Sequence, residues 1–180
     1  RPSELPDGKA VLICDIGGLS VEVTLLGAES GRWTVLSTAQ CAVGSDLIDE
    51  RVADHLGRAF QREHGLSVWP HRKTLARLRL AAEWAKCRLS ESDVVTVRLP
   101  GLLSLADSPV DLVAELTGEQ LALLVEDELR RALDVIEIAL RSARLRTTQL
   151  HAVLLSGGGA RLPLWGDLVA SHAVMRPLPQ

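Results

Sequence analysis

The sequence predicts an α/β fold, a mixed sheet interrupted by an inserted α+β block, on three observations. Two apolar runs, Val11 to Cys14 and Val153 to Leu155, end directly in glycine-rich turns, Asp15-Ile16-Gly17-Gly18-Leu19-Ser20 and Ser156-Gly157-Gly158-Gly159-Ala160-Arg161. Such runs read as buried strands that stop at tight backbone corners. Stretches that alternate apolar and polar residues are interleaved with stretches of helical period, in the order βββ-α-α-ββ-α-β-α. The middle block, residues 48–116, holds its own helices and hairpin between the two glycine turns. Residues 1–47 and 117–180 are therefore expected to form a core subdomain and residues 48–116 an inserted one.

Each element follows from local pattern. Ala10 to Ile16 and Val21 to Gly27 flank the first glycine turn as strands, Gly27 to Gly31 is a turn cluster, and Trp33 to Ala39 alternates as a third strand. Gly44-Ser45-Asp46 opens a helix whose apolar face is Leu47, Ile48, Val52, His55, Leu56 and Phe60, and Gly65 to Pro70 ends it. A second helix runs from about His71 to Leu89 through Leu75, Leu78, Ala82 and Ala85. Val94 to Leu99 and Val110 to Leu116 read as a hairpin. Thr117-Gly118-Glu119-Gln120 has the form of a capping box, in which the Thr117 hydroxyl accepts from the Gln120 N–H and the Gln120 side chain reaches back. One long helix is expected behind it, to Ala143, then a buried strand at Leu150 to Leu155 and a last helix from Leu162 to His172.

Bulk properties narrow the functions available. In 180 residues, 47% hydrophobic and 24% charged, there is enough apolar material for one domain with a core or two small subdomains. A net charge of −3 gives no polyanion-binding surface, so no nucleic-acid partner is expected. No apolar run approaches the roughly 20 residues that cross a bilayer, and no membrane partner is expected. Cys14, Cys41 and Cys87 are odd in number and far apart, which disfavours a disulfide framework or a zinc site and points to a reducing compartment; a cytoplasmic location is expected. The five histidines show no metal-ligand spacing, and no nucleophile elbow is present.

The glycine turns carry the chemistry. Backbone N–H groups at a strand end without Cβ atoms can approach a phosphate, so a nucleotide is the expected tenant of a cleft built from both turns. Asp15 can hold Mg²⁺ through its water shell, and the Ser20 hydroxyl can face phosphate oxygens; the same residues also fit a plain hairpin capped by an aspartate. Arg161 can stack on a base or pair with phosphate, or be solvated beside an ordinary strand-to-helix link. No glycine stands three residues after Gly159 and no Gly-Lys-Ser/Thr follows, which disfavours the dinucleotide fingerprint and the Walker A loop. Glu83, Lys86 and Ser90 share one helix face and suit ribose and adenine edges, although a surface ion pair fits the spacing as well.

In order and interval, these segments resemble the second half of the ATPase domain of the heat-shock protein 70 chaperone family, in the actin-like ATPase superfamily. Val11 to Leu25 is similar to its second phosphate-binding hairpin, Gly44 to Leu56 to its Gly-Gly-Glu-Asp-Phe-Asp helix start, Leu78 to Ser90 to its nucleotide-contacting helix, and Gly157-Gly158-Gly159-Ala160-Arg161-Leu162-Pro163 to its adenosine turn. The resemblance implies an actin-like ATPase (ribonuclease H-like) lobe binding ATP or ADP with Mg²⁺. It implies Asp15 at the metal and catalytic water, Gly17, Gly18 and Ser20 at phosphate, Glu83, Lys86 and Ser90 at ribose and adenine, and Gly158 and Arg161 at adenosine. It also implies partners: an N-terminal ATPase lobe holding the other half of the active site, a peptide-binding domain gated by the nucleotide, a nucleotide exchange factor and a J-domain co-chaperone. The parent would be the ATPase; this chain alone lacks half of the site. Three departures, Leu19 for a glycine that leucine cannot match at positive φ, Ser45 for the second glycine of the pair and Cys87 for an arginine, are the basis of a competing expectation. In it the parent is a pseudo-ATPase whose lobe is a docking platform for a J-domain partner or the ribosome.

Overall fold

The computed structural model describes residue 1, residues 5–173 and residues 177–178. The chain divides into two compact units, Arg1–Ser45 with Asp127–Gln180, and Asp46–Glu126.

The first unit is built on a four-stranded sheet. Strands β1 (Ala10–Ile16), β2 (Val21–Glu29) and β3 (Arg32–Cys41) form an antiparallel meander, and β6 (Leu150–Ser156) pairs parallel with β1. The order is β3-β2-β1-β6, the mixed sheet of an α/β lobe. One face carries Ala10, Leu12, Cys14, Ile16, Val21, Val23, Leu25, Val153 and Leu155, all buried. The unit's helices are α4 (Glu126–Ser142) and α5 (Pro163–Ala173), whose Val135, Ile136, Ala139, Leu140, Trp165 and Val169 are also buried. The Ser37 hydroxyl donates to the Ala139 carbonyl at 2.7 Å, tying α4 to the edge strand β3. Val11, Ile13, Leu26, Trp33 and Leu154 line an apolar hollow of about 430 Å³, in which the half-exposed Trp33 is a rim residue.

The second unit holds α1 (Ser45–His64, its first residue excepted), α2 (Arg72–Arg88), the hairpin β4 (Val94–Leu105) and β5 (Ser108–Thr117), and α3 (Gly118–Leu124). Ile48, Val52, Leu56 and Phe60 recur every four residues along α1 and are fully buried. Gly57 lies between Leu56 and Phe60 on that helix because a Cβ there would come within 2.9 Å of a Val68 methyl. From α2 and the hairpin, Leu78, Ala82, Ala85, Val95, Val97, Leu112 and Leu116 complete the core.

Three expectations are corrected. The hairpin strands run well past Leu99 and begin before Val110. Pro100-Gly101 reads as a breaker but is absorbed by a register shift between Leu99 and Leu103, where Gly101 has φ +52° and donates its N–H to Asp111 Oδ1 at 2.7 Å. Ala106 and Asp107, both at positive φ, then close the hairpin. Second, the helix after Thr117 is not continuous. The capping box forms as read, with Gln120 N to Thr117 Oγ1 at 3.1 Å and Thr117 N to Gln120 Oε1 at 3.0 Å. The ladder breaks at Val125, whose backbone (φ −117°, ψ 18°) leaves the helical region and separates α3 from α4. Third, α3 falls in the second unit rather than with residues 127–180, and the Gly118 N–H donates to the Asp93 carbonyl at 3.2 Å within that unit.

Candidate functional site

Parallel pairing of β1 with β6 sets Asp15 opposite Ser156, so the two glycine turns leave the sheet side by side. The Ser156 hydroxyl donates to Asp15 Oδ1 at 2.9 Å. Asp15 is exposed although its neighbours Cys14 and Ile16 are buried, because it is the one strand position there that faces away from the core. Burial pushes the Cys14 thiol up to about 12, so it is an inert part of the core beneath the turn.

The crossing is held by close backbone contacts. Gly157 has φ +85°, and a Cβ on it would lie 2.4 Å from the Ile16 carbonyl oxygen and 2.5 Å from Asp15 Oδ1. A Cβ on Gly159 would meet Ile16 Cγ2 at 2.4 Å and Ser45 Oγ at 2.7 Å. Gly44 is the tightest position, with backbone atoms of Gly18 and Leu19 within 2.6 Å of its absent Cβ. The Ser45 N–H donates to the Gly17 carbonyl at 3.0 Å, and Gly17 donates its own N–H to the Ser20 carbonyl at 2.9 Å. Ser45 is thereby tied to the first turn, and both backbone groups of Gly17 are used within the first unit.

Gly18, Gly158 and Arg161 are exposed, and Ser20 is partly so. Arg161 ends the 3₁₀ turn Gly158–Arg161 and makes no ion pair among the described residues. A Cβ on Gly158 would meet nothing within 4 Å, so its neighbours Gly157 and Gly159, rather than Gly158, are the glycines this corner requires. Leu19 is not strained: its φ is not positive and its side chain is 79% exposed. The four exposed or partly exposed groups Asp15, Gly18, Ser20 and Arg161 thus sit on one scaffold with Gly17 and Gly158, all in the first unit.

Glu83, Lys86 and Ser90 belong to the second unit. Glu83 is exposed and Ser90 partly exposed, but Lys86 is buried and its Nζ donates to Asp49 Oδ2 of α1 at 2.8 Å, with only 11% and 15% of the two side chains exposed. Burial raises the Asp49 carboxyl above its ordinary range even though the Lys86 ammonium pulls it down. Asp49 Oδ1 is buried without a hydrogen-bond partner. An ammonium has three donors, and Asp49 takes one and fixes its direction. Sequence reasoning missed Asp49, Gly44, Gly157 and Gly159. The glycines were visible as glycines; nothing in the sequence ties Asp49 to a lysine 37 residues away.

Among the described residues no group of three or more His, Cys, Asp or Glu could cage a metal ion, and no helix is long and apolar enough to cross a membrane.

The chain matches the family described as Hsp70 protein across residues 4–178. Similar proteins include "Heat shock 70 kDa protein 7, chloroplastic" of Arabidopsis thaliana, 34% identical over 92% of this chain and 23% of its own length. "Chaperone protein dnaK3" of Synechococcus elongatus is 33% identical over 92% and 22%, and the "Stromal 70 kDa heat shock-related protein, chloroplastic" of Spinacia oleracea 33% over 92% and 28%. The chain spans about a quarter of the length of these relatives. They overturn the cytoplasmic expectation, since chloroplast proteins stand among the most similar sequences; unpaired thiols report a redox condition and not an address. With ordered motifs, a mixed α/β sheet and a family match over nearly its whole length, this chain belongs to the Hsp70 family, a family of nucleotide-binding chaperones.

Proposed function

We propose that the chain is the nucleotide-binding lobe of a heat-shock 70-type chaperone, holding ATP or ADP with Mg²⁺. The observation that carries this proposal is the crossing of the two turns, where Asp15 meets Ser156 and Gly157 packs on the Ile16 carbonyl. A corner of this kind offers a carboxylate, a hydroxyl and bare backbone beside one another, the donor set for a metal-bound phosphate. Asp15, an exposed carboxylate with acceptor capacity beyond its Ser156 bond, suits an Mg²⁺ that keeps most of its water shell. The ion supplies charge neutralisation at the phosphates. Gly18 and the Ser20 hydroxyl face phosphate, and Gly17 shapes the turn because its N–H is already committed. Arg161 and Gly158 take the adenosine. Glu83, Lys86 and Ser90 read the ribose and adenine edges, with Lys86 aimed by Asp49.

In the parent protein a preceding lobe would close the phosphates from the other side, because phosphoryl transfer needs charge stabilisation around the whole γ-phosphate. ATP turnover there would gate a peptide-binding domain, with a J-domain co-chaperone and an exchange factor acting on the cycle. The docking-platform alternative gains nothing from Leu19, whose side chain is in solvent and whose backbone is unstrained.

Calorimetric titration of the chain with Mg-ADP and Mg-ATP, with Arg161→Ala as control, tests the proposal. Binding of both nucleotides, weakened by the substitution, is expected. Absence of binding at millimolar nucleotide, both in the folded chain and in the parent carrying its preceding lobe, would refute it.

A further inference from the structure

We propose that Ser45 is a further nucleotide-binding residue, its side-chain hydroxyl placed for the α-phosphate that joins the two ends of the bound nucleotide. The proposal rests on the nucleotide reading above and adds a residue that reading does not use. Ser45 stands where the family's pattern has the second glycine of a pair, and glycine has no side-chain donor. A hydroxyl at this place is therefore a property of this chain.

Ser45 meets both glycine turns, and it lies with them in the first unit. Its N–H donates to the Gly17 carbonyl at 3.0 Å, which ties its backbone to the first turn. Its Oγ lies 2.7 Å from the position that a Cβ on Gly159 would take, which sets its side chain against the second turn. The carbon missing from Gly159 is the room that the hydroxyl fills. Directly before Ser45, Gly44 has backbone atoms of Gly18 and Leu19 within 2.6 Å of its own absent Cβ, so the main chain there has no freedom to carry the serine away. Ser45 is partly exposed, and a ligand lying over the crossing reaches it from solvent.

These contacts select the part of a nucleotide that the hydroxyl meets. Gly18 and Ser20, next to Gly17, are assigned above to phosphate, and Gly158 and Arg161, on either side of Gly159, to adenosine. A nucleotide that spans both turns carries its α-phosphate between those ends, and Ser45 is the side chain set between the turns. A hydroxyl donating to a phosphate oxygen makes a charge-assisted bond. Two other donors at the crossing are already committed. The Gly17 N–H donates to the Ser20 carbonyl at 2.9 Å, and the Ser156 hydroxyl to Asp15 Oδ1 at 2.9 Å.

The test is NMR-detected titration of the chain with AMP, ADP and adenosine, each with Mg²⁺. It compares the unaltered chain with Ser45→Ala and Ser45→Gly, and takes Arg161→Ala as the adenosine control. Ser45→Ala is expected to weaken AMP and ADP roughly tenfold, the worth of one hydrogen bond to a charged oxygen, and to leave adenosine unchanged. Ser45→Gly should do the same, because the hydroxyl and not the Cβ is the group removed in both. Arg161→Ala should weaken all three ligands. A serine that only supported the fold would weaken all three as well, and thermal melting of each variant checks that the fold is kept. Equal losses for adenosine and the two nucleotides on Ser45→Ala, or no loss for any, would overturn the proposal and leave the nucleotide reading standing. Absence of binding both in the unaltered chain and in the parent carrying its preceding lobe would remove the nucleotide reading and this proposal with it.

Discussion

The glycine crossing of the first unit is made of backbone, whereas the Glu83–Ser90 segment of the second is made of side chains. At the crossing, Gly44, Gly157 and Gly159 are required because an added carbon would meet main chain or short side chains that have nowhere to go. On α2, the position of Lys86 is required because Asp49 holds it in a place with little water. A backbone site fails by collision at particular atoms and tolerates change one residue away. A side-chain site fails by leaving a charge without its partner, and that failure depends on pH.

The largest effect is expected from Gly44→Ala, whose Cβ would fall 2.1 Å from the Gly18 carbonyl oxygen. A loss of about 4 kcal/mol or more, the range reserved for core and backbone disruption, is expected in urea unfolding. Gly157→Ala adds a left-handed φ to its contact with the Ile16 carbonyl and should lose about 3 kcal/mol. An unfolding midpoint unchanged in either variant would show that the crossing is not closed by these contacts.

Lys86→Met tests the other half of the comparison. It leaves the Asp49 carboxylate buried alone, and a loss of about 3 kcal/mol is expected at neutral pH. The loss should shrink with acid. Burial already raises Asp49 above the ordinary carboxylate range, so the folded chain binds its proton more tightly than the unfolded chain does. Its contribution to stability is therefore most favourable at low pH and falls as the pH rises through the folded value. Without the lysine that value moves higher still. Unfolding of the variant and its parent at several pH values checks this; a pH-independent difference would mean that Asp49 is not the group left stranded.

Asp49→Asn is expected to change stability by no more than about 1 kcal/mol, since a neutral side chain of the same shape suits a buried site. If Lys86 reads ribose as proposed, the same variant weakens nucleotide while leaving the unfolding midpoint nearly constant, a separation that calorimetry and thermal melting can register together. The smallest effect, within about 0.5 kcal/mol, belongs to Gly158→Ala, because nothing lies within 4 Å of its added carbon. A loss as large as that of Gly157→Ala would erase the distinction between the two glycines.

Much of this was legible from residues alone. The apolar run ending in glycines marked β1, alternation marked β3, helical spacing marked the buried face of α1, and the Thr117–Gln120 capping box was identified down to its hydrogen bonds. The extension of the hairpin past Pro100-Gly101 was not legible, because the bulge sets three residues, Pro100 to Leu102, against Asp111 alone and preserves the ladder on either side of them. Nor was the break at Val125, which lies inside an unbroken apolar period.

The sequence by itself determined the family, the α/β class and the identity of the turns, since these rest on local periodicity and on residue types whose chemistry travels with them. Tertiary structure alone decided that Gly157 and Gly159 rather than Gly158 are indispensable, that Gly17 spends its N–H inside the turn, that Leu19 is unstrained and that Lys86 answers to Asp49. Those facts depend on distances between atoms far apart along the chain, and no local spacing encodes them.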